Sequence, residues 1–308
     1  MVPGMAVAKR RGAANRRPTG TPSVRLGVIG GSGLYQMPGL DGAQEVSVRT
    51  PFGAPSDAFV VGKLGGVGVA FLPRHGRGHR ILPSEINFRA NVCALKQLGA
   101  EFLLSVGAVG SLKQELRPGD IVVPDQFIDR THGRASTFFG DGVVAHVGLA
   151  DPVCPVLSRL VVVAALATGD STVHERGTYV CMEGPQFSTR AESMLHRQWH
   201  ADVIGMTNVQ EAKLAREAEM CFASVSLVSD YDCWNVSAGD VDIAEVLRIL
   251  QESTERAQRI VGTIVDQLPA ERTCVCASAL AQAIITDRAR IPASARARLR
   301  PIAGRYLG

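Results

Sequence analysis

Two carboxylates stand two residues apart in Ser229-Asp-Tyr-Asp-Cys-Trp234, directly after an apolar run at 223–228. At the end of a half-buried strand such a pair pushes one pKa up, which leaves a proton at hand for general-acid work. An extended backbone would project Asp230 and Asp232 to the same side; the alternative is two solvated turn residues. A second concentration of charge follows the run ending at Leu72. There Pro73-Arg-His-Gly-Arg-Gly-His-Arg80 sets three arginines and two histidines among glycines, a loop suited to an oxyanion or, equally, a solvated basic turn. The stretch Leu26-Gly-Val-Ile-Gly-Gly-Ser-Gly-Leu34 climbs into glycines. It lacks the third glycine of a dinucleotide fingerprint, meets Pro38 and Gly39 where a helix would follow, and has no Gly-Lys-Ser/Thr. What remains is a backbone nest for an anion with a hydroxyl on Ser32, or a plain tight turn. Ser105-Val-Gly-Ala-Val-Gly-Ser111 ends another apolar run in small residues, and Gly205-Met-Thr-Asn208 offers Thr207 either to a ligand or as a helix cap.

The elements that must hold these residues are short β-type runs at 24–29, 59–64, 67–72, 102–106, 121–123, 178–182, 203–206 and 221–228. Helical patterns separate several of them. A helix over 84–98 starts with Ser84 as its cap and ends at Gly99, and others are expected over 155–167, 191–199, 209–219 and 241–268. Strands alternating with helices predict an α/β fold with a mixed central sheet flanked by helices, and ligands at the strand ends. No internal repeat is visible and no linker divides 24–270, so the expectation is one domain there. Residues 1–23 read as a basic, disordered tail. Residues 271–308 read as a C-terminal extension, helical and packed on the domain, with the apolar stretch 279–285 as its helix.

The formal charge of +4 hides two basic ends. Lys9, Arg10, Arg11, Arg16 and Arg17 crowd the start, and six arginines against Asp287 crowd the last stretch, so the body between is acidic. Basic tails without interleaved aromatics are ordinarily just solvated, which argues against nucleic acid as a partner. The apolar runs are too short to span a bilayer, and no apolar segment follows the N-terminal basic residues as in a secretory signal. Seven cysteines, mostly inside apolar stretches, suggest reduced thiols and a cytoplasmic setting. Cys274-Val-Cys276 is the only close pair. With no second pair nearby it reads as two ordinary thiols rather than half a zinc site, and no metal is expected.

The stretches IGGSGL, TPFGAPSD, RHGRGH, NFRANVCALK, RPGDIVVPDQFIDRT, EGPQFSTRAE, DVIGMTNVQEAKLAREA and SDYDCW run in order across residues 24 to about 268. In this the chain resembles the 5′-methylthioadenosine phosphorylases, the 6-aminopurine branch of the trimeric purine nucleoside phosphorylases. The resemblance implies phosphorolysis of 5′-methylthioadenosine to adenine and 5-methylthioribose 1-phosphate, in a cytoplasmic homotrimer with no cofactor and inorganic phosphate as co-substrate. It places phosphate against Ser32, Arg74, His75, the Ala108 backbone and Thr207, with Gly107 beside the substrate and Met206 along the ribose. Phe187 would pack on the purine, and Asp230 and Asp232 would face its 6-amino group and N7. Ser188 stands where 6-oxopurine relatives carry Glu, and Asp230 where they carry Asn. His146, from a neighbouring subunit, with Ile243, Val246 and Leu247, would form the 5′-methylthio pocket. One departure is Val106-Gly107, where close relatives often place threonines. The alternatives are a broader phosphorylase acting on adenosine or inosine, a nucleosidase using water, and a nucleotide-binding regulatory module.

Overall fold

In the computed structural model, residues 23–31, 33–235 and 243–307 are described, 244–252 by backbone alone. The basic start, Ser32, and the side chains of Val246 and Leu247 lie outside the described residues.

The strands, in chain order, are β1 (Leu26–Gly30), β2 (Asp41–Val46), β3 (Phe59–Leu64), β4 (Val67–Pro73), β5 (Phe102–Ser111), β6 (Ile121–Val122), β7 (Gln126–Arg130), β8 (Val173–His174), β9 (Thr178–Met182), β10 (Val203–Gly205) and β11 (Cys221–Asp230). All eleven join one mixed sheet, whose main path runs β2-β3-β4-β1-β5-β10-β9-β7. β11 lies along the other edge of β5 and leads through β6 to β8.

Helices cover both faces, as an α/β sheet with buried strands requires. On one face α1 (Phe88–Leu98), α4 (Asn208–Glu217) and α6 (Ala293–Leu307) share a core with Ile29, Leu103 and Phe222. On the other, α2 (Pro155–Leu166) and α5 (Ile243–Gln267) pack over Leu26, Val28, Phe102, Leu104 and Val225. The remaining helix is α3 (Arg190–Gln198). Adjacent residues of β1, β5 and β11 thus feed opposite cores, the period-2 alternation of a strand. At Gly27 the approach is so close that a Cβ would sit 2.8 Å from Leu95 of α1.

Three differences from the sequence reading have local causes. α1 starts at Phe88 with Asn87 as its cap, the Asn87 carboxamide oxygen accepting from the Ala90 N–H at 3.1 Å. Ser84 sits instead in a separate 3₁₀ turn over Pro83–Glu85, which the extended Ile86 breaks from the helix. β5 and β11 run on to Ser111 and Asp230 because each pairs the other in parallel along its length. The stretch 279–285 forms turns, not a helix, although Leu280 and Ala283 are buried. The helix of the extension is α6, whose Ala295, Leu299, Ile302, Ala303 and Leu307 face the core at helical spacing despite Pro301.

Buried Glu219, in left-handed backbone just after α4, fastens this extension. Its carboxylate accepts from the Leu280 N–H at 3.1 Å, the Tyr306 hydroxyl at 2.6 Å and the Arg305 guanidinium at 2.5 Å.

Candidate active site

The sheet leaves one strand edge open. β1 pairs with β5 in parallel as far as Ile29 opposite Ser105. β10 pairs antiparallel with the far end of the same edge, Ile204 opposite Gly110 and Val203 opposite Ser111. Among the described residues, 106–109 therefore pair only with β11. The C-terminal ends of β1 and β10 face each other across this gap. Gly30 and Gly31 arrive from one side, Gly205, Met206 and Thr207 from the other, and the Gly107 and Ala108 backbone lies between. This is a topological switch point, where open α/β sheets hold ligands.

Arg74, at the end of β4, is buried beneath the gap at 3% exposure, so it is no solvated turn residue. Its Nε and Nη2 donate to the two carboxylate oxygens of Glu211 at 2.6 and 3.2 Å. Nη2 also lies within reach of the Ser105 hydroxyl and the Ile29 carbonyl, and Nη1 donates to the Val106 carbonyl at 3.1 Å. Among the described residues the second Nη1 hydrogen has no acceptor, and a Cβ at Gly107, on the unpaired stretch of β5, would lie 3.7 Å from that nitrogen. The side chain thus spends most of its donors on the fold.

The first turn of α4 fixes this arrangement with polar groups turned inward. Asn208 accepts from the Ser105 hydroxyl at 2.9 Å and donates to Ser224, and Gln210 donates to the Thr131 hydroxyl at 2.8 Å. Thr207 is the N-cap by position, yet its side chain makes no cap bond. A buried hydroxyl at the positive end of a helix is left available to an anion.

His75 follows Arg74, its ring stacked on His79 at 4.3 Å. Its Nδ1 lies 2.8 Å from the Ile81 carbonyl. A carbonyl only accepts, so Nδ1 carries the hydrogen and Nε2 of the neutral ring presents a lone pair. Burial, with smaller contributions from Arg74 and His79, pushes its pKa down to about 4, and the imidazole is neutral at pH 7.

At the end of β11, Asp230 and Asp232 meet as the sequence implied, but not through an extended backbone. Asp232 is in left-handed backbone (φ 43°) and opens a 3₁₀ turn, Asp232–Trp234. The turn is tied to β5 by the Trp234 Nε1–H donating to the Ser111 carbonyl at 2.7 Å, and the Arg197 guanidinium covers its ring. Asp230 accepts from the Ser229 hydroxyl at 2.7 Å and the Asp232 N–H at 2.8 Å. Burial, the largest influence, and the neighbouring Asp232 raise its pKa against those bonds. Asp232 is 5% exposed, and its Oδ2 is buried with no hydrogen-bond partner among the described residues. An unpaired buried acceptor is costly unless a ligand donor fills it. Both side chains flank Gly110, where a Cβ would come 3.0 Å from Asp230 Oδ1 and 3.3 Å from Asp232 Cβ.

Beside this pair runs the loop Gly184 to Ser188. Cys233 donates its thiol hydrogen to the Ser188 carbonyl at 3.2 Å, and Phe187 is 48% exposed. A Cβ at Gly184 would collide with Met206 Sδ at 2.5 Å, so this loop lies directly on Met206. Arg134 locks the two together, pairing with the Glu183 carboxylate at 3.1 Å and donating to the Met206 carbonyl.

The remaining residues fall elsewhere or outside what is described. His146 is exposed, its N–H donating to the Ala283 carbonyl at 2.9 Å, and it does not converge on the gap within its own chain. Ile243 is 63% exposed at the start of α5. The sequence reading missed Glu211, Arg134 and Gly110. A glycine inside an apolar strand run is itself a sign of close approach and could have flagged Gly110. Glu211 shares a helical face with Asn208, but nothing local says that this face turns inward.

Residues 25–266 match the Phosphorylase superfamily. The S-methyl-5′-thioadenosine phosphorylase of Koribacter versatilis is 56% identical over 283 residues, 92% of this chain and 97% of its own. That of Geobacter sulfurreducens is also 56% identical, over 92% of this chain and 99% of its own. Among solved structures, a methylthioadenosine phosphorylase from an antarctic soil metagenomic library superposes with a TM-score of 0.87 at 47% identity, covering 91% of this chain and 99% of that one. The Schistosoma mansoni methylthioadenosine phosphorylase in complex with adenine superposes with a TM-score of 0.77 at 40% identity, covering 81% of this chain and 93% of that one. At such identity over nearly the whole length of these relatives, the chain belongs to the phosphorylase superfamily and, within it, to the S-methyl-5′-thioadenosine phosphorylases.

Proposed function

We propose that this protein catalyses the phosphorolysis of 5′-methylthioadenosine to adenine and 5-methylthioribose 1-phosphate. The observation that carries the reading is the pairing of a buried acceptor, Asp232 Oδ2, with a carboxyl whose proton is held more tightly than usual, Asp230. Adenine presents the matching edge, an amino donor at position 6 beside the N7 acceptor. A 6-oxo purine would set oxygen against oxygen at Asp232.

Breaking the N-glycosidic bond builds positive charge on the ribose and negative charge on the purine. Phosphate in the gap stabilises the first and then forms the new bond to C1′. Its partners are the open Nη1 hydrogen of Arg74, the Thr207 hydroxyl, the Gly107–Ala108 backbone and Ser32. The Nε2 lone pair of neutral His75 accepts a hydrogen bond from the P–OH of the phosphate monoanion, which keeps its proton. Asp230 gives its proton to N7 as the bond breaks, a step worth roughly 10² to 10⁴ in rate by general-acid norms. Met206 lies along the ribose and Phe187 on the base. The reaction as written needs no metal or organic cofactor.

The 5′-methylthio pocket is completed, in this reading, by His146 of a second subunit in a cytoplasmic homotrimer, with Ile243, Val246 and Leu247. Exposed Val144 and Ile285 beside His146 suit such a contact. The deciding experiment supplies methylthioadenosine with and without phosphate. Adenine and methylthioribose 1-phosphate should form only with phosphate. Equal turnover without it, giving free methylthioribose, would make the enzyme a nucleosidase.

A further inference from the structure

The fold supplies the second thiol pair that the Cys274-Val-Cys276 motif lacks in the sequence. Cys154 stands at the N-cap of α2, Cys221 opens β11, and Cys274 and Cys276 flank Val275 at the start of a 3₁₀ turn over Val275–Ser278. All four are free thiols, and their sulfurs lie within 4.8 Å of one another. The Cys221 and Cys274 sulfurs lie 3.2 Å apart. Three of the four are buried and Cys274 is half-buried. The other cysteines, Cys93, Cys181 and Cys233, are not part of this group.

We propose that these four cysteines form a tetrathiolate site for one zinc ion that fastens the C-terminal extension to the sheet. A tetrahedral ion with zinc–sulfur bonds near 2.3 Å needs sulfur–sulfur edges of about 3.8 Å, within the span of the cluster. Four soft ligands and no hard one select zinc among the common divalent ions. Binding replaces four S–H protons, which pass to solvent, by four zinc–sulfur bonds, leaving a site of charge −2. The N-terminus of α2, where Cys154 sits, offsets part of that charge. Half-buried Cys274 gives the ion its way in. The surroundings are apolar: Cys154, Cys221 and Cys276 belong to the same core as Leu157, Ala223 and Ile260.

Such a site is structural. Four protein ligands close the coordination sphere and leave no position for a substrate. It also lies remote from the chemistry, since Cys221 and Asp230 occupy opposite ends of a ten-residue strand, about 30 Å apart at ordinary strand rise. Its effect is to join three distant stretches of chain, with the gain in stability expected when an ion binds only the folded form.

The test purifies the full chain under reductant, with no chelator and no metal column, and measures metal by mass spectrometry. About one zinc per chain is expected. Exchange with Co²⁺ should give the intense visible absorption of a tetrahedral cobalt thiolate, a readout on the wild-type protein that does not depend on activity. Cys274→Ser and Cys276→Ser should lose the ion and unfold at lower temperature, with kcat/KM unchanged. Reduced protein that holds no zinc and develops no cobalt spectrum would overturn the proposal. So would cysteines that peptide mapping finds as disulfides and that take up no metal once reduced.

Discussion

The two ends of β11 are built on opposite principles. At the Cys221 end, groups that start far apart in the chain meet one another. Four thiols cluster, and nearby Glu219 spends its carboxylate on Leu280, Arg305 and Tyr306. At the Asp230 end, groups are held in place yet left incomplete. Asp232 Oδ2 has no partner among the described residues, Thr207 caps nothing, and Arg74 keeps one hydrogen in reserve. One end completes the fold, and the other is where the proposed function seats its ligand. Stability and activity should therefore separate along a single strand.

The largest effect expected is at Asp230. Asp230→Asn keeps the size and removes the acid, and kcat/KM for methylthioadenosine should fall by about 10² to 10⁴. Tm should barely move, because the amide oxygen still accepts from the Asp232 N–H and the amide NH2 can donate to the Ser229 hydroxyl, which keeps the Val109 carbonyl as its own acceptor. The pH profile sharpens the test. A general acid works protonated, and the raised pKa of Asp230 extends that form upward in pH. Wild-type rate should fall as pH rises through that pKa, and the variant should lack this limb. An unchanged alkaline limb would move the acid role to another group. Adding Ser188→Glu should shift the ratio of kcat/KM values towards inosine, and a ratio that stayed put would remove both residues from reading the 6-position.

Arg74 crosses this division, since it is tied into the fold and is also a proposed phosphate contact. Arg74→Ala strands the Glu211 carboxylate, fully buried, without its ion-pair partner. Removing one member of a buried pair costs about 3–5 kcal/mol, so this variant should unfold at markedly lower temperature as well as lose phosphate affinity. Denaturant titration of Arg74→Ala beside an Arg74→Met, Glu211→Leu double variant separates the two roles. The double variant should recover most of the stability and none of the phosphate binding. If both variants bound phosphate normally, Arg74 would be a structural residue alone.

How much of this was legible in the sequence follows from how local each signal is. Strands with apolar runs were read to the residue at Phe59–Leu64 and Thr178–Met182. β2 was invisible because Asp-Gly-Ala-Gln-Glu-Val is exposed at all but its last position and becomes a strand only by pairing with β3. The apolar stretch 279–285 drew the helix assignment that belongs to α6, where Pro301 and a run of arginines obscure a regular buried stripe. At the site, Arg74, His75, Thr207, Asp230 and Asp232 follow apolar runs, and a strand end is a local feature. Glu211 and Arg134 are charges made important by what they face, and Cys154 and Cys221 join Cys274 and Cys276 only through the topology.

His75 tests whether the site end carries a stability cost of its own. Its folded pKa, about 4, lies below the ordinary 6.5, so between those values the unfolded chain binds a proton that the folded one refuses. Stability contributed by the neutral ring is complete above about pH 6.5 and lost as pH falls towards 4, by up to about 3 kcal/mol. Denaturant titrations across that range should show the decline, and His75→Asn should flatten it. A slope identical in the two proteins would assign the titration elsewhere.

The smallest effect, and the cleanest division between the two ends, is expected at Thr207. A threonine at an N-cap ordinarily accepts from the backbone two or three residues on, and replacing it destabilises the helix by about 1 kcal/mol. Here the side chain makes no such bond, so Thr207→Val, which keeps the shape and removes only the hydroxyl, should leave Tm within about a degree of wild type. In the proposed function, what it removes is one hydrogen bond to the phosphate at a helix N-terminus. A bond of that kind is worth about 1.5–3 kcal/mol, or roughly 10- to 100-fold in affinity. The phosphate KM should rise by that factor while the methylthioadenosine KM stays within about twofold. Arsenate, the same shape and charge, should suffer alike. A drop in Tm with both KM values intact would show that the hydroxyl serves the fold, and the line between a completed end and a waiting end would then have to be drawn elsewhere along the strand.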